Sequence, residues 1–158
     1  MRRAEIAMAA DEVAAFLAEQ RTVTCATLGR DGWPHLMPLW YVVRATQPTS
    51  SAGTGGELWS WTYAKSQKVR NLERDPRCTL QVEAGSAYNE LRGVMLKAEC
   101  VLHRDFATVA ALGEEIAVRY GGAALDDGAR AYVRRQAAKR VALQFRPRQR
   151  ATWDHRKL

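Results

Sequence analysis

Apolar positions along this chain repeat with two periods, and the points where the period changes mark the elements. From Asp11 to Gln20, Val13, Phe16 and Leu17 fall at i, i+3 and i+4, one face of a short helix. Thr22 to Leu28 is β-branched and alternating, a strand. Gly29-Arg30-Asp31-Gly32 then reads as a tight turn whose glycines can take positive φ. Trp33 to Arg44 is the returning strand. Pro34 and Pro38 lack ladder donors, so this strand belongs at an edge, carries a bulge, or turns those positions outward.

Thr46 to Gly56 is a polar Gly/Ser/Thr-rich connection, expected as a flexible hairpin loop. No Gly-Lys-Ser/Thr follows its glycines, so a phosphate-binding P-loop fails. Glu57 to Tyr63 alternates Leu58, Ser60 and Thr62 with Trp59, Trp61 and Tyr63, giving a strand with one aromatic face. Ser66 to Asp75 is a compact helix: Ser66 can cap it, Val69 and Leu72 face inward, and Pro76 ends it. Strands follow at Arg77 to Ala84 and Arg92 to His103, around a loop from Gly85 to Leu91. Asp105 caps a helix from Phe106 to Tyr120, striped by Val109, Leu112, Ile116 and Tyr120 and stopped by Gly121-Gly122. Another helix covers Asp127 to Ala138, and Arg140 to Arg146 is the last strand. Residues 147–158 read as a basic tail with one anchor, Trp153.

This order implies a mainly β protein with flanking helices. Consecutive strands joined by short turns pair antiparallel, and six of them can close into a barrel with helices outside. The length of 158 residues fits one domain, 1–158. The longest apolar run, Leu36 to Val43, is far short of a membrane helix, and the N-terminus lacks a signal-peptide run. Cys25, Cys78 and Cys100 are odd in number and widely spaced, which suits a reducing cytoplasm better than a disulfide frame.

Charge changes the picture by its location. The chain carries a net +7. Residues 134–158 hold nine Lys/Arg and one acid, Asp154, so the rest of the chain is near neutral. Nucleic acid, an anionic small molecule and plain solubility all remain open from this alone. A second cluster is local: Lys65, Lys68 and Arg70 lie within about a turn of a helix N-terminus, where unpaired N–H groups and the hydroxyl of Ser66 suit a phosphate. An ordinary capped surface helix with solvated lysines competes with that reading.

The run Ser66-x-Lys68-x-x-x-Leu72-x-x-x-Pro76, set between two strands, resembles the pyridoxamine 5'-phosphate oxidase-like split β-barrel superfamily. Its version here, from Lys68 to Arg77, looks most like the branch using the deazaflavin coenzyme F-420. The opening Ala26 to His35 is similar to that family's first hairpin, and the close Trp153-Asp154-His155-Arg156-Lys157-Leu158 is familiar from the same branch. The resemblance implies a six-stranded antiparallel split barrel of the FMN-binding type, working as a homodimer with the cofactor at the interface. It implies that Lys68, with Ser66, Gln67 and Lys65, holds the cofactor phosphate, and that Asn71 lies near it. Leu36, Met37, Pro38 and Leu39, with Trp61 and Thr62, would line the ring. Tyr88 would come from the partner chain.

The implied activity is hydride transfer from F-420 to an unsaturated organic substrate. An FMN-dependent oxidase or reductase and a non-catalytic flavin or deazaflavin carrier are the alternatives. Tyr88, Tyr63 and His35 are the candidate proton donors. The Arg/His-rich close of true pyridoxamine-phosphate oxidases is not matched, and the extra cations Lys65, Arg70, Arg74 and Arg77 suit the phosphate and glutamate carboxylates of the F-420 tail. The substrate pocket is expected from loops 46–56 and 85–91 and a second chain. His35, His103 and His155 are too far apart for a local metal motif, and Cys25 reads as a buried, inert thiol. The C-terminal charge lacks a groove-reading motif, so no nucleic-acid partner is expected.

Overall fold

The computed structural model describes residues 3–46 and 56–158. Its elements run α1 (Ala10–Glu19), β1 (Val23–Leu28), β2 (Pro34–Leu39), β3 (Val42–Arg44), β4 (Glu57–Tyr63), α2 (Gln67–Arg74), β5 (Arg77–Ala84), β6 (Arg92–His103), α3 (Phe106–Gly121), α4 (Asp127–Ala137) and β7 (Arg140–Asp154). The strands form one antiparallel sheet in the order β2-β1-β5-β6-β7-β4-β3. Its two edges, β2 and β3, are consecutive in the chain and joined only by Trp40 and Tyr41. Three Cα steps span at most roughly 11 Å, so the sheet must curl until its edges nearly meet. That is a barrel with a slit.

The slit explains why the expected returning strand is divided, giving seven strands where six were read. Tyr41 is fully buried. Its N–H donates to the Tyr120 hydroxyl at 2.8 Å, and its carbonyl accepts from the Arg119 guanidinium at 2.9 Å. Its own hydroxyl donates to the Leu17 carbonyl at 2.7 Å. Two side chains of α3 therefore satisfy the Tyr41 backbone that a ladder would otherwise hold, while the Tyr41 side chain ties this turn to the end of α1. Burial pushes the Tyr41 phenol up to about 12, keeping it a neutral donor. Both prolines sit in edge strand β2, as their missing donors require.

Two cores follow from strand alternation. Inside the barrel, Cys25, Leu58, Leu80, Val94, Leu96, Leu143 and Phe145 meet Val13, Phe16 and Leu17, the helical face of α1. On the outside of β4 and β7, Trp59 and Ala142 pack under Val109, Leu112 and Ile116 of α3 and Ala137 of α4. The β4–β7 half is thus covered on both faces. The outer face of β5 is not, and Arg77, Gln81 and Glu83 are exposed there.

The basic tail expected at 147–158 is instead the second half of β7. It pairs with β6 as far as Arg92↔Asp154, with a register shift between Lys97 and Ala98 opposite Pro147. A bulge at that point accommodates the missing proline donor. The physical reason is length: β6 has 12 residues, and a seven-residue last strand would leave half its inner edge unpaired. The expected loop at 46–56 lies outside the described residues except at its ends. Trp153 closes the far end of the β6–β7 ladder by lying on Gly93 directly opposite, where a Cβ would stand 2.0 Å from the indole. Gly93→Ala should therefore lower stability by about 1–3 kcal/mol through overpacking, read as a depressed melting temperature with altered tryptophan fluorescence. An unchanged melt would mean that Trp153 is free to move.

Candidate functional site

The site grows from α2 and the open edge of β4. Strand β3 pairs with β4 only as far as Trp59, so Ser60 to Tyr63 have β7 on one side and, among the described residues, no strand on the other. Helix α2 begins directly after, turning on a Ser66 N–H to Tyr63 carbonyl bond of 3.0 Å. Val69 and Leu72 bury it in the barrel core, and Asn71 fixes its height. The Asn71 amide, fully buried, donates to the Thr27 hydroxyl at 3.0 Å and accepts from Gln67 at 2.9 Å.

Lys68 is 7% exposed, and its ammonium donates to the Thr62 hydroxyl at 3.0 Å. Among the described residues no carboxylate meets it. Burial holds it below its ordinary value, and the nearby Arg140 adds repulsion. Ser66 stands at the N-cap position, but its hydroxyl makes no cap bond and is buried without a partner. A buried cation with one neutral partner, and a buried hydroxyl with none among the described residues, are each unfavourable unless a further group completes them.

Other cations of the expected strip are engaged. Arg77 pairs with Asp75 at 2.7 Å, and that guanidinium holds the Asp75 carboxyl down at about 2. Arg74 donates to the Leu28 carbonyl. Lys65 and Arg70 are exposed at the helix start. A cation that the sequence did not single out joins instead: Arg140, the first residue of β7, is directly opposite Tyr63. Its guanidinium lies 4.1 Å from the Tyr63 ring centre and 4.6 Å from that of Trp61, and its Nε is buried without an acceptor. No local pattern could have found it, because the register is set by folding.

Beside this cradle lies a cavity of about 670 Å³. Pro38, Leu39 and Trp40 form one wall, Trp61 to Tyr63 the floor, and Gly113, Ile116, Tyr132 and Val133 of α3 and α4 the far wall. Gly113 is required there, since a Cβ would come within 2.4 Å of the Trp61 ring. The described pocket is therefore walled by helices, not by the loop at 85–91. A second hollow of about 420 Å³ on the open sheet face holds Arg77 and Arg148, whose charges are met by Asp75 and Glu99.

Of the residues expected at the site, Pro38, Leu39, Trp61, Thr62, Ser66 and Lys68 gather here. Leu36 and Met37 do not line the cavity; they are exposed on edge strand β2. Tyr63 lines it, half exposed. His35 is opposite Thr27 and so shares the Asn71 side of the sheet, with Nδ1 buried and unpartnered. Tyr88 lies at the far end of β5 from α2, its ring 4.6 Å from that of His155, and joins none of these within one chain. The remaining histidine, His103, stacks on Trp59 and bonds Gln144 at 2.9 Å. All three cysteines are buried. A Cys25 hydrogen bond and burial hold the Cys78 thiol above its ordinary value, and burial does the same for Cys100, which makes neither a nucleophile.

The chain is thus a slit antiparallel barrel with an aromatic cavity at its open edge, walled by α3 and α4. The family model for pyridoxamine 5'-phosphate oxidase matches residues 9–154, and the chain belongs to that family. Among solved structures, the conserved hypothetical protein Rv2991 of Mycobacterium tuberculosis is 37% identical, with a TM-score of 0.86, covering 99% of this chain and 91% of that one. An F-420 reductase is 20% identical, with a TM-score of 0.62, over 87% of this chain and 94% of that one. An FAD-binding protein of Mesorhizobium loti is 16% identical, with a TM-score of 0.62, over 92% of each. The last two share the fold. No curated protein matches the chain. No helix among the described residues is long and apolar enough to cross a membrane.

Proposed function

We propose that this protein is a coenzyme F-420-dependent oxidoreductase. The observation that carries the reading is Lys68: a buried ammonium with a single hydroxyl partner, beside the unpartnered Ser66 hydroxyl at a helix start. Those groups fit a phosphate, and the exposed Lys65 and Arg70 extend positive charge toward the carboxylates of a longer anionic tail. When bound, the reduced deazaflavin supplies a hydride to an unsaturated organic substrate. The chain's own part is to grip the phosphate with Lys68 and Ser66 and to bed the ring against Pro38, Leu39, Trp61 and Thr62. The aromatic and helical walls exclude water. Tyr63, at the cavity floor, is the proton donor within one chain.

The working unit in this reading is a homodimer. Trp33, Leu36, Met37 and Trp40 are exposed along an edge strand, an apolar surface that a second copy would cover, bringing Tyr88 of the other chain to the site. The test is a fluorescence titration of purified protein with F-420 and with FMN. Tighter binding of F-420 is expected; tighter binding of FMN would transfer the reading to a flavin enzyme on the same fold.

A further inference from the structure

The cavity has a wall and a cation that gripping the cofactor phosphate does not use. Side chains alternate along β4, so Thr62 turns toward Lys68 while Trp61 and Tyr63 turn the other way, toward α3, α4 and Arg140. The two cations therefore serve opposite faces of the same strand. On the outer face, two ring faces and the cross-strand register hold the Arg140 guanidinium in place. Arg44, Arg92, Arg104, Arg148 and Arg156 each have a carboxylate within 3.0 Å. Arg140 has none among the described residues, and its Nε is buried without an acceptor.

A guanidinium fixed by stacking retains its planar fork for a bidentate anion, and in a mostly apolar cavity that anion is poorly hydrated and tightly held. The rest of the lining, from Ile116, Tyr132 and Val133 to Trp61, favours a flat apolar body. We infer that Arg140 anchors the carboxylate of a flat, apolar substrate lodged between β4 and the α3–α4 wall. That this ligand is the substrate rests on the oxidoreductase reading; the anion site does not.

The test is calorimetry without cofactor, using 2-naphthoate and its methyl ester as probes. Wild type should bind the carboxylate at least tenfold more tightly than the ester. Arg140→Gln should abolish that preference with the ester's affinity unchanged, and Lys68→Ala should keep it. If the glutamine variant loses both probes, Arg140→Lys decides: a retained, weaker carboxylate preference supports the site, and equal binding or none overturns it. Equal affinities in wild type, a preference that survives Arg140→Gln, or displacement of bound F-420 by naphthoate also overturn it. The last result would give Arg140 to the cofactor's own tail. Failure of F-420 to bind, with the naphthoate preference intact, sinks the cofactor reading alone.

Discussion

Replacing Lys68 with Met should weaken F-420 binding by about 1.5–3 kcal/mol, roughly 10- to 150-fold, while leaving the unliganded protein as stable as before or more so. The two effects have opposite signs because, among the described residues, the buried ammonium meets one hydroxyl and no carboxylate. Without ligand, the charge is desolvated and only one hydroxyl repays it. Burial lowers the folded-state value of Lys68, so between that value and roughly 10.4 the unfolded chain binds more protons. Stability of the unliganded wild type should accordingly rise with pH through that window, and the methionine variant should lose this slope. Paired titrations and urea melts at several pH values check both. Unchanged cofactor affinity would remove Lys68 from the site.

Arg119→Ala should lower stability by about 3 kcal/mol, which for a chain of this size is a fall in melting temperature of about 6–12 °C. Its guanidinium donates to the carbonyls of Tyr41 at 2.9 Å, Leu17 at 3.0 Å and Gln20 at 2.7 Å, and lies 4.5 Å from the Tyr41 ring centre. One side chain therefore ties the end of α1 and the turn between the sheet's two edges to α3. Removing it takes a charged donor from three carbonyls at once and leaves them to the hydroxyls of Tyr41 and Tyr120 alone. Tyr120→Phe, which orphans the Tyr41 N–H, should produce a smaller loss through the same junction. A change below 2 °C for Arg119→Ala would show that water replaces the guanidinium without penalty. Because Trp40 stacks on Tyr120 at 4.3 Å and lines the cavity, both variants should also loosen ligand binding there.

Local periodicity sufficed wherever an element's partners did not need to be known. β4, β5 and β6 have the bounds that alternation gives, and α3 carries its capping Asp105, whose carboxylate accepts from the Thr108 N–H at 3.0 Å. Lys68 and Ser66 likewise stand close together at the start of α2 because they lie within one helical turn. Periodicity failed where a distant residue decides. Trp33 to Arg44 looks continuous until Tyr120 and Arg119 claim the backbone of Tyr41, and 147–154 looks like a tail until β6 provides a ladder for it. Arg140, Arg146, Arg148 and Arg150 of the C-terminal cations thereby stand on a strand, with Arg148 paired to Glu99.

By itself, then, the sequence determined most of the elements, the antiparallel mainly β class and the helical start that brings Ser66 and Lys68 close together along the chain, since each is written in neighbouring residues. Tertiary structure decided where the barrel opens, that α3 and α4 wall the cavity, and that Arg140 stands across from Tyr63 with no acid beside it among the described residues. Those features depend on strand order and register, which are set by burying both faces of β4 and of Val141 to Phe145 in β7, a global packing condition with no local signature.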